Sequence, residues 1–335
     1  MTEHPVAPSL AELIGDAPRE PLDHTDGRSG GSLERVTIDG ETYVLKHLDA
    51  RSDWVMRATG DVTGRALTLW RSGWLDRLPA SVDHATVGAA WEDGPVGGTG
   101  ALLLREVGDH LVPPGDDEVP LLTHLDFLDH MAQLHAAFWG CDDTIGLFPL
   151  DRRFTWFGPA LAERERANGA TDVVPTELMP LGWEKFECRA PRAAAVVRPL
   201  IDDPTPLLAS LSTTPMTLVH GDLKAGNLGR HPDGRTILLD WAVTGVAPAA
   251  ADLAWYVGLN RARLPQSKVE TFTVYRRAIE RHGVDTAPWW DRQLSLCLLG
   301  TLMLIGWEKA LGESDDAAEE LAWWEDRAVA GALYL

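Results

Sequence analysis

The chain has 335 residues, 45% of them hydrophobic, and sets 50 Asp and Glu against 30 Lys and Arg for a formal net charge of −20. That surplus excludes the basic face which a phosphate-backbone binder or a polybasic membrane clamp requires, so neither nucleic acid nor membrane is an expected partner. The length suits two domains or lobes of ordinary size around a sizeable core.

Residues 1–21 carry no basic stretch followed by an apolar one, so no secretory signal is expected and the segment reads as an appended arm. Cys141, Cys188 and Cys297 are widely spaced and form neither a disulfide framework nor a zinc motif, which fits a reducing cytoplasm. Glycines cluster in Asp26-Gly27-Arg28-Ser29-Gly30-Gly31-Ser32, a loop able to aim backbone N–H groups at phosphates. The alternation through 33–38, the Asp39-Gly40 pair and the run 42–46 then predict a β-hairpin with two positive-φ turn residues, which places Lys46 at the end of a strand.

The stretch 54–78 reads as one or two helices interrupted near Gly60 and Gly64, and 99–104 as a strand leading into Arg105-Glu106-Val107-Gly108. From 121 to 139 the apolar residues Leu125, Leu128, Met131, Ala132, Leu134 and Phe138 recur at helical spacing and open a larger, mainly helical half. His124, His130 and His135 lie six and five residues apart, off the spacing of four that a helical pair of metal ligands needs.

The informative stretch is Val219-His220-Gly221-Asp222-Leu223-Lys224-Ala225-Gly226-Asn227, followed by a second apolar strand that ends at Asp240-Trp241. A polar loop between two short strands thus presents a carboxylate, a lysine and an amide, and a second carboxylate arrives from the neighbouring strand end. Phosphoryl transfer asks for this set, because the protein mainly positions a hydroxyl and screens charge. Asp222 suits the base that accepts the hydroxyl proton. Asn227 and Asp240 supply hard oxygen ligands for Mg2+. Lys224 is placed for the γ-phosphate, and Lys46 for the α- and β-phosphates of ATP.

His-Gly-Asp-x-x-x-x-Asn followed thirteen residues later by Asp-Trp resembles the aminoglycoside phosphotransferase and choline kinase-like small-molecule kinases. Val44-Leu45-Lys46, Leu134-His135-Ala136 and Asp252-Leu253-Ala254 extend the resemblance to nearly the whole chain. It implies an α+β, bilobal protein-kinase-like fold: a small antiparallel-sheet lobe over residues 1–106, and a helical lobe over 107–335 with the catalytic loop and acceptor site. ATP would lie between them, touching Ser29, Gly30 and Gly31 of the glycine loop and Glu106 and Val107 of the hinge. Only eleven residues separate Asp240 from Asp252, too few for a phosphorylatable activation loop, so the expected acceptor is small. One departure stands out: the family pairs its strand lysine with a helix Glu, often written Arg-Glu, where this chain has Arg65-Ala66. Asp61 is the nearest acidic candidate for that ion pair.

Three C-terminal helices are expected over 269–281, 288–311 and 315–329, the second around the apolar run 294–307. In the family such helices wall the acceptor cleft. Here they carry Trp289, Trp290, Trp307, Trp323 and Trp324 with many Asp and Glu. Core packing and a solvated acidic face account for most of them, and Trp307 with Glu308, a charge interrupting an apolar helix, are the candidates for acceptor contact. The expected activity is transfer of the γ-phosphoryl group of ATP, with Mg2+, to a hydroxyl of an amine-bearing small molecule such as an aminoglycoside or amino sugar. A metabolic kinase for a sugar or choline-like alcohol, and a nucleotide-binding regulator with reduced catalysis, are the alternatives.

Overall fold

The computed structural model describes residues 3–22, 29–94 and 97–335. Asp26, Gly27 and Arg28 of the glycine cluster lie outside the described residues. The hairpin forms as its sequence requires: Leu33–Ile38 and Glu41–Asp49 pair antiparallel across Asp39 (φ 52°) and Gly40 (φ 85°). They sit in a five-stranded antiparallel sheet in the order Arg19–Pro21, Leu33–Ile38, Glu41–Asp49, Thr99–Arg105, Thr86–Glu92.

Strand periodicity decides what each side of this sheet does. Val44, Lys46 and Leu48 share one face and line cavities, while Leu45 is fully buried on the other with Val36, Ala101 and Leu103. That outer face is covered by the N-terminal segment, whose helix Leu10–Ile14 packs Leu10, Leu13 and Ile14 against it. The expectation of an appended arm is therefore corrected. The segment also supplies the edge strand Arg19–Pro21 and a bridge from Ala7 to Ala90, because a sheet with one open apolar face needs a cover.

The 54–78 stretch divides into Trp54–Thr59 and Arg65–Arg71, with Gly60 and Gly64 in the left-handed region between them. A helical half follows, built on Leu121–Ala137 and Ala249–Leu259 and closed by Lys268–Arg281, Trp290–Leu311 and Asp315–Ala332. Two further sheets hold the central loops: Thr217–Val219 with Gly245–Ala247, and Leu228–Arg230 with Thr236–Leu238 and Val82–Asp83. The last pairing ties a segment from the first third of the chain to the helical half. Trp290–Leu311 is long and apolar enough to cross a membrane by length and composition, but it is mostly buried, with Leu296, Leu299, Leu302 and Met303 fully covered. Together the sheet region and helical half make the bilobal protein-kinase-like α+β fold.

Candidate active site

One helix holds the whole polar loop. Asp252, fully buried on Ala249–Leu259, accepts from the backbone N–H groups of His220 and Gly221, both at 2.7 Å, and from His135 Nε2 at 3.1 Å. Burial alone would raise its carboxyl, but the His135 hydrogen bond leads the contacts that hold it below the ordinary value. One turn on, Trp255 Nε1 donates to Asp222 Oδ1 at 2.9 Å. At the helix end Asn260 donates to Leu223 O at 2.9 Å and accepts from Ala225 N at 2.6 Å. The i, i+3 spacing of Asp252 and Trp255 puts both on the face toward the loop, a signal present in the sequence beyond the Asp-Leu-Ala that the motif comparison used.

Within the loop, Asn227 Nδ2 donates to Asp222 O at 2.9 Å and to Asp222 Oδ2 at 2.8 Å. Both partners are acceptors, which fixes the amide and turns its oxygen away from Asp222. Lys224 Nζ lies 3.2 Å from Asp222 Oδ2. His220 is fully buried and accepts from Asp222 N on Nδ1, and burial depresses its pKa, so the ring is neutral and stands edge-on to Trp241. Gly221 has φ 88°, and a Cβ there would come 2.5 Å from Val243 O. Only glycine fits that approach.

Asp240 adopts φ 64°, a left-handed conformation that Asp tolerates better than most residues. Its carboxylate is 2.7 Å from Lys46 Nζ. Burial pushes the Asp240 carboxyl up, yet Lys46 and Lys224 outweigh it and hold it down at about 2. Asp240 and the turned Asn227 amide thus offer one ionised and one neutral oxygen donor. That set fits a hard divalent cation which keeps waters and phosphate oxygens in its remaining positions. Among the described residues no group of three or more His, Cys, Asp or Glu side chains is arranged to hold a metal by itself.

Asp61 does not pair with Lys46. Its carboxylate accepts from Arg65 N at 2.9 and 3.1 Å and caps the following helix, because the Gly60 and Gly64 turns aim it at that helix start. A second acid that feels Lys46, besides Asp240, is Asp53, 6% exposed, which caps Trp54–Thr59 by accepting from Val55 N at 2.8 Å and Met56 N at 3.1 Å. Burial raises its carboxyl, opposed by those N–H groups and by Lys46. Sequence reasoning missed it, although an Asp directly before a helical run is a capping signal. Ser29 O accepts from Trp54 N at 2.9 Å, and Gly30, at φ 88°, packs on Ser52 O too closely for any side chain. The described part of the glycine loop is therefore seated on the same helix start.

Two cavities meet here. One, of about 410 Å³, is lined by Gly31, Val44, Glu106, Val107, Gly226 and Asn227. The other, of about 370 Å³, is lined by Asp53, Trp54, Asp61, Asp222, Trp307 and Glu308. Ser29, Lys46, Lys224 and Asp240 line both. The rest of the C-terminal acidic run turns elsewhere: Glu313 pairs with Lys185, Glu320 with Lys268, and Glu325 with Arg192. Trp289, Trp290 and Trp324 are buried in the core.

Two buried arginines grip the segment after Asp240. Arg65 donates to Thr59 O at 2.6 Å and Ala242 O at 3.3 Å, and Arg153 donates to Val243 O at 2.8 Å. Their guanidinium carbons lie 4.9 and 5.2 Å from the centre of the Phe148 ring, a cation–π arrangement that offsets part of their burial. Burial lowers the Arg153 pKa to about 10, which leaves it charged.

The profile of a phosphotransferase enzyme family matches residues 29–281. No curated protein matches the chain. Among solved structures it is similar to a microcompartment-associated aminopropanol kinase, with 15% identity, TM-score 0.54, and 95% of this chain and 92% of that one covered. It is similar to a choline kinase from Streptococcus pneumoniae at 12% identity and TM-score 0.53, with 93% of each chain covered. An amicoumacin kinase in complex with AMP-PNP and Ca2+ aligns at 16% identity and TM-score 0.51, over 96% of this chain and 91% of that one. At these identities the likeness shows the shared fold.

Proposed function

The chain belongs to this phosphotransferase enzyme family and is a small-molecule kinase, and from that premise we propose that it moves the γ-phosphoryl group of ATP, with Mg2+, onto a hydroxyl of an acceptor seated beside Asp222. The observation that carries the reading is how the two cavities divide the loop. Asp222 lines the cavity walled by Trp54 and Trp307, Asn227 lines the one that reaches Glu106 and Val107, and the basic residues Lys46 and Lys224 line both. A group-transfer site needs that arrangement: two ligands approaching from opposite sides, with the charge-screening residues at the junction.

When bound, the nucleotide and its cation supply the transferable phosphoryl group and neutralise its charge. Asp240 and Asn227 would hold the cation. Asp222 would accept the acceptor hydroxyl's hydrogen bond and take its proton; Trp255 and Asn227 orient its two oxygens, and Oδ1 keeps a lone pair for the hydroxyl while Oδ2 also faces Lys224. Lys224, beside Asp222, would meet the γ-phosphate, and Lys46 the α- and β-phosphates. Ser29, Gly30 and Gly31 would close over the phosphates, and Glu106 and Val107 would border the base. In the same reading residues 1–106 form the nucleotide lobe and 107–335 the acceptor lobe, and the enzyme works in the cytoplasm, where ATP is supplied. Two of the structures sharing the fold are named for alcohols that carry an amine or ammonium, aminopropanol and choline, which supports an amine-bearing acceptor with Trp307 and Glu308 in its wall.

The test is Asp222→Ala. Turnover is expected to fall by about 10²–10⁴, the contribution of a positioned general base, while nucleotide affinity by calorimetry stays within a few-fold, as expected for a step lost only in the transition state. Turnover retained in a folded Asp222→Ala protein would remove the assignment.

A further inference from the structure

We propose that the acceptor is an alcohol built on a bulky, mainly apolar or aromatic body with at most one positive charge, and that polycationic amino sugars are poor ligands. This rests on the phosphotransfer reading and narrows its acceptor.

The cavity of about 370 Å³ is the size that takes a drug-sized molecule. Much of its wall is rings and aliphatic chains. Trp156 lies 3.9 Å from Phe157 and 6.3 Å from Trp54 between ring centres, and Phe157 lies 6.3 Å from Trp307. Met56, Val174, Leu304 and Ile305 add aliphatic surface beside them. Burying an apolar body there is favourable in proportion to the area removed from water.

Charge accounting points the same way. Each carboxylate that lines the cavity already has a partner. Asp53 and Asp61 cap helices, Asp240 pairs with Lys46, and Asp222 is held by Trp255 and Asn227. Glu308, half-exposed, lies 3.0 Å from Lys309 Nζ. Lys46, Lys224 and Lys309 line the same space and offset three of its five carboxylates. Of those five only Glu308 is exposed, so a polycation would have to leave most of its ammonium groups desolvated away from an accessible counter-charge, which is costly. One ammonium can be accommodated, by Glu308 at the wall or by a ring face. Trp307, itself buried, adds ring surface to the same wall.

The experiment is calorimetric titration of the full chain with Mg·AMP-PNP, using aryl and alicyclic alcohols bearing no amine or one amine against the aminoglycosides kanamycin and neomycin, with ADP release from Mg·ATP measured separately for each compound. The tightest apolar-bodied alcohol is expected to bind at least about tenfold better than the tightest aminoglycoside, with an affinity that changes little with salt. Trp156→Ala should weaken it by about tenfold and Trp156→Phe by less. An aminoglycoside that binds most tightly, or a panel in which no apolar-bodied alcohol binds below about 1 mM, overturns the proposal. Aminoglycosides leading in both binding and ADP release would sink it while leaving phosphotransfer standing. Tight binding of apolar alcohols with no ADP release above the acceptor-free rate would do the reverse.

Discussion

The two cavities share four residues and differ in almost everything else. The nucleotide-side cavity is built from short contiguous pieces: Val44 and Lys46 on one strand, Glu106 to Gly108 at the end of another, and Gly226 with Asn227 on one loop. The acceptor-side cavity gathers Trp54, Trp156, Val174, Trp255 and Trp307 from five separate helices and connections. A ligand common to many enzymes can be met by fixed local motifs, whereas an acceptor peculiar to one enzyme is met by side chains that only tertiary packing brings together.

The largest effect expected from breaking the shared junction is that of Asp240→Asn. Removing the charge that faces Lys46 at 2.7 Å should cut turnover by about 10²–10³ and raise the Mg2+ concentration needed for half-maximal rate. An unchanged Mg2+ requirement would count against Asp240 as a metal ligand.

A smaller loss tests how the two sides are joined. Arg65→Met leaves the buried Thr59 carbonyl without its donor and frees Ala242 O, so a loss of about 1–3 kcal/mol of stability is expected in denaturant unfolding. No loss would mean that the clamp on the segment after Asp240 is made otherwise.

Acidification acts on buried histidines before carboxylates. Burial holds His124 down at about 4 and lowers His220 as well, whereas unfolded histidine titrates near 6.5. The unfolded chain therefore binds protons first as pH falls. Stability is fully present above about pH 6.5 and is lost toward pH 4, by up to about 1.4 kcal/mol per pH unit for each such group. The lowered carboxyls of Asp240 and Asp252 add their loss only at lower pH, below the ordinary carboxylate range. A melting temperature flat from pH 7 to 5 would contradict neutral burial of these rings.

Asp61→Ala separates the two acids at the start of the helical pair. As a cap for Arg65 N it should cost about 1 kcal/mol, seen as a lower melting temperature. A loss of turnover as deep as that of Asp240→Asn would instead restore Asp61 as the partner of Lys46.

These contrasts follow what the sequence made legible. The hairpin with its Asp39-Gly40 turn, the break at Gly60 and Gly64, the long helix from Leu121 and the loop from His220 to Asn227 all carry local signals, and each formed. Thr86–Glu92 gave none, because Gly88, Ala89 and Ala90 are poor strand formers; there Gly88 lies against Leu13 and Leu103, so packing dictates the strand. The segment 140–215 was also silent, and it supplies Trp156, Phe157 and Val174 to the acceptor wall. Asp61 is the acid nearest Arg65 in sequence, while the fold brings Asp240 into an ion pair with Lys46 and sets Asp53 within its field. The acidic C-terminal surplus suggests a cationic pocket, yet of those carboxylates only Glu308 lines the cavity, since a helix has two faces and charge arithmetic does not say which one turns inward.

The most direct test of phosphotransfer itself is ³¹P NMR of the protein with Mg·ATP and its best acceptor. A new phosphate monoester signal should grow in step with ADP while orthophosphate stays at background, and Asp222→Ala should slow its growth by about 10²–10⁴. ADP matched by orthophosphate, with no monoester on the acceptor, would contradict the account.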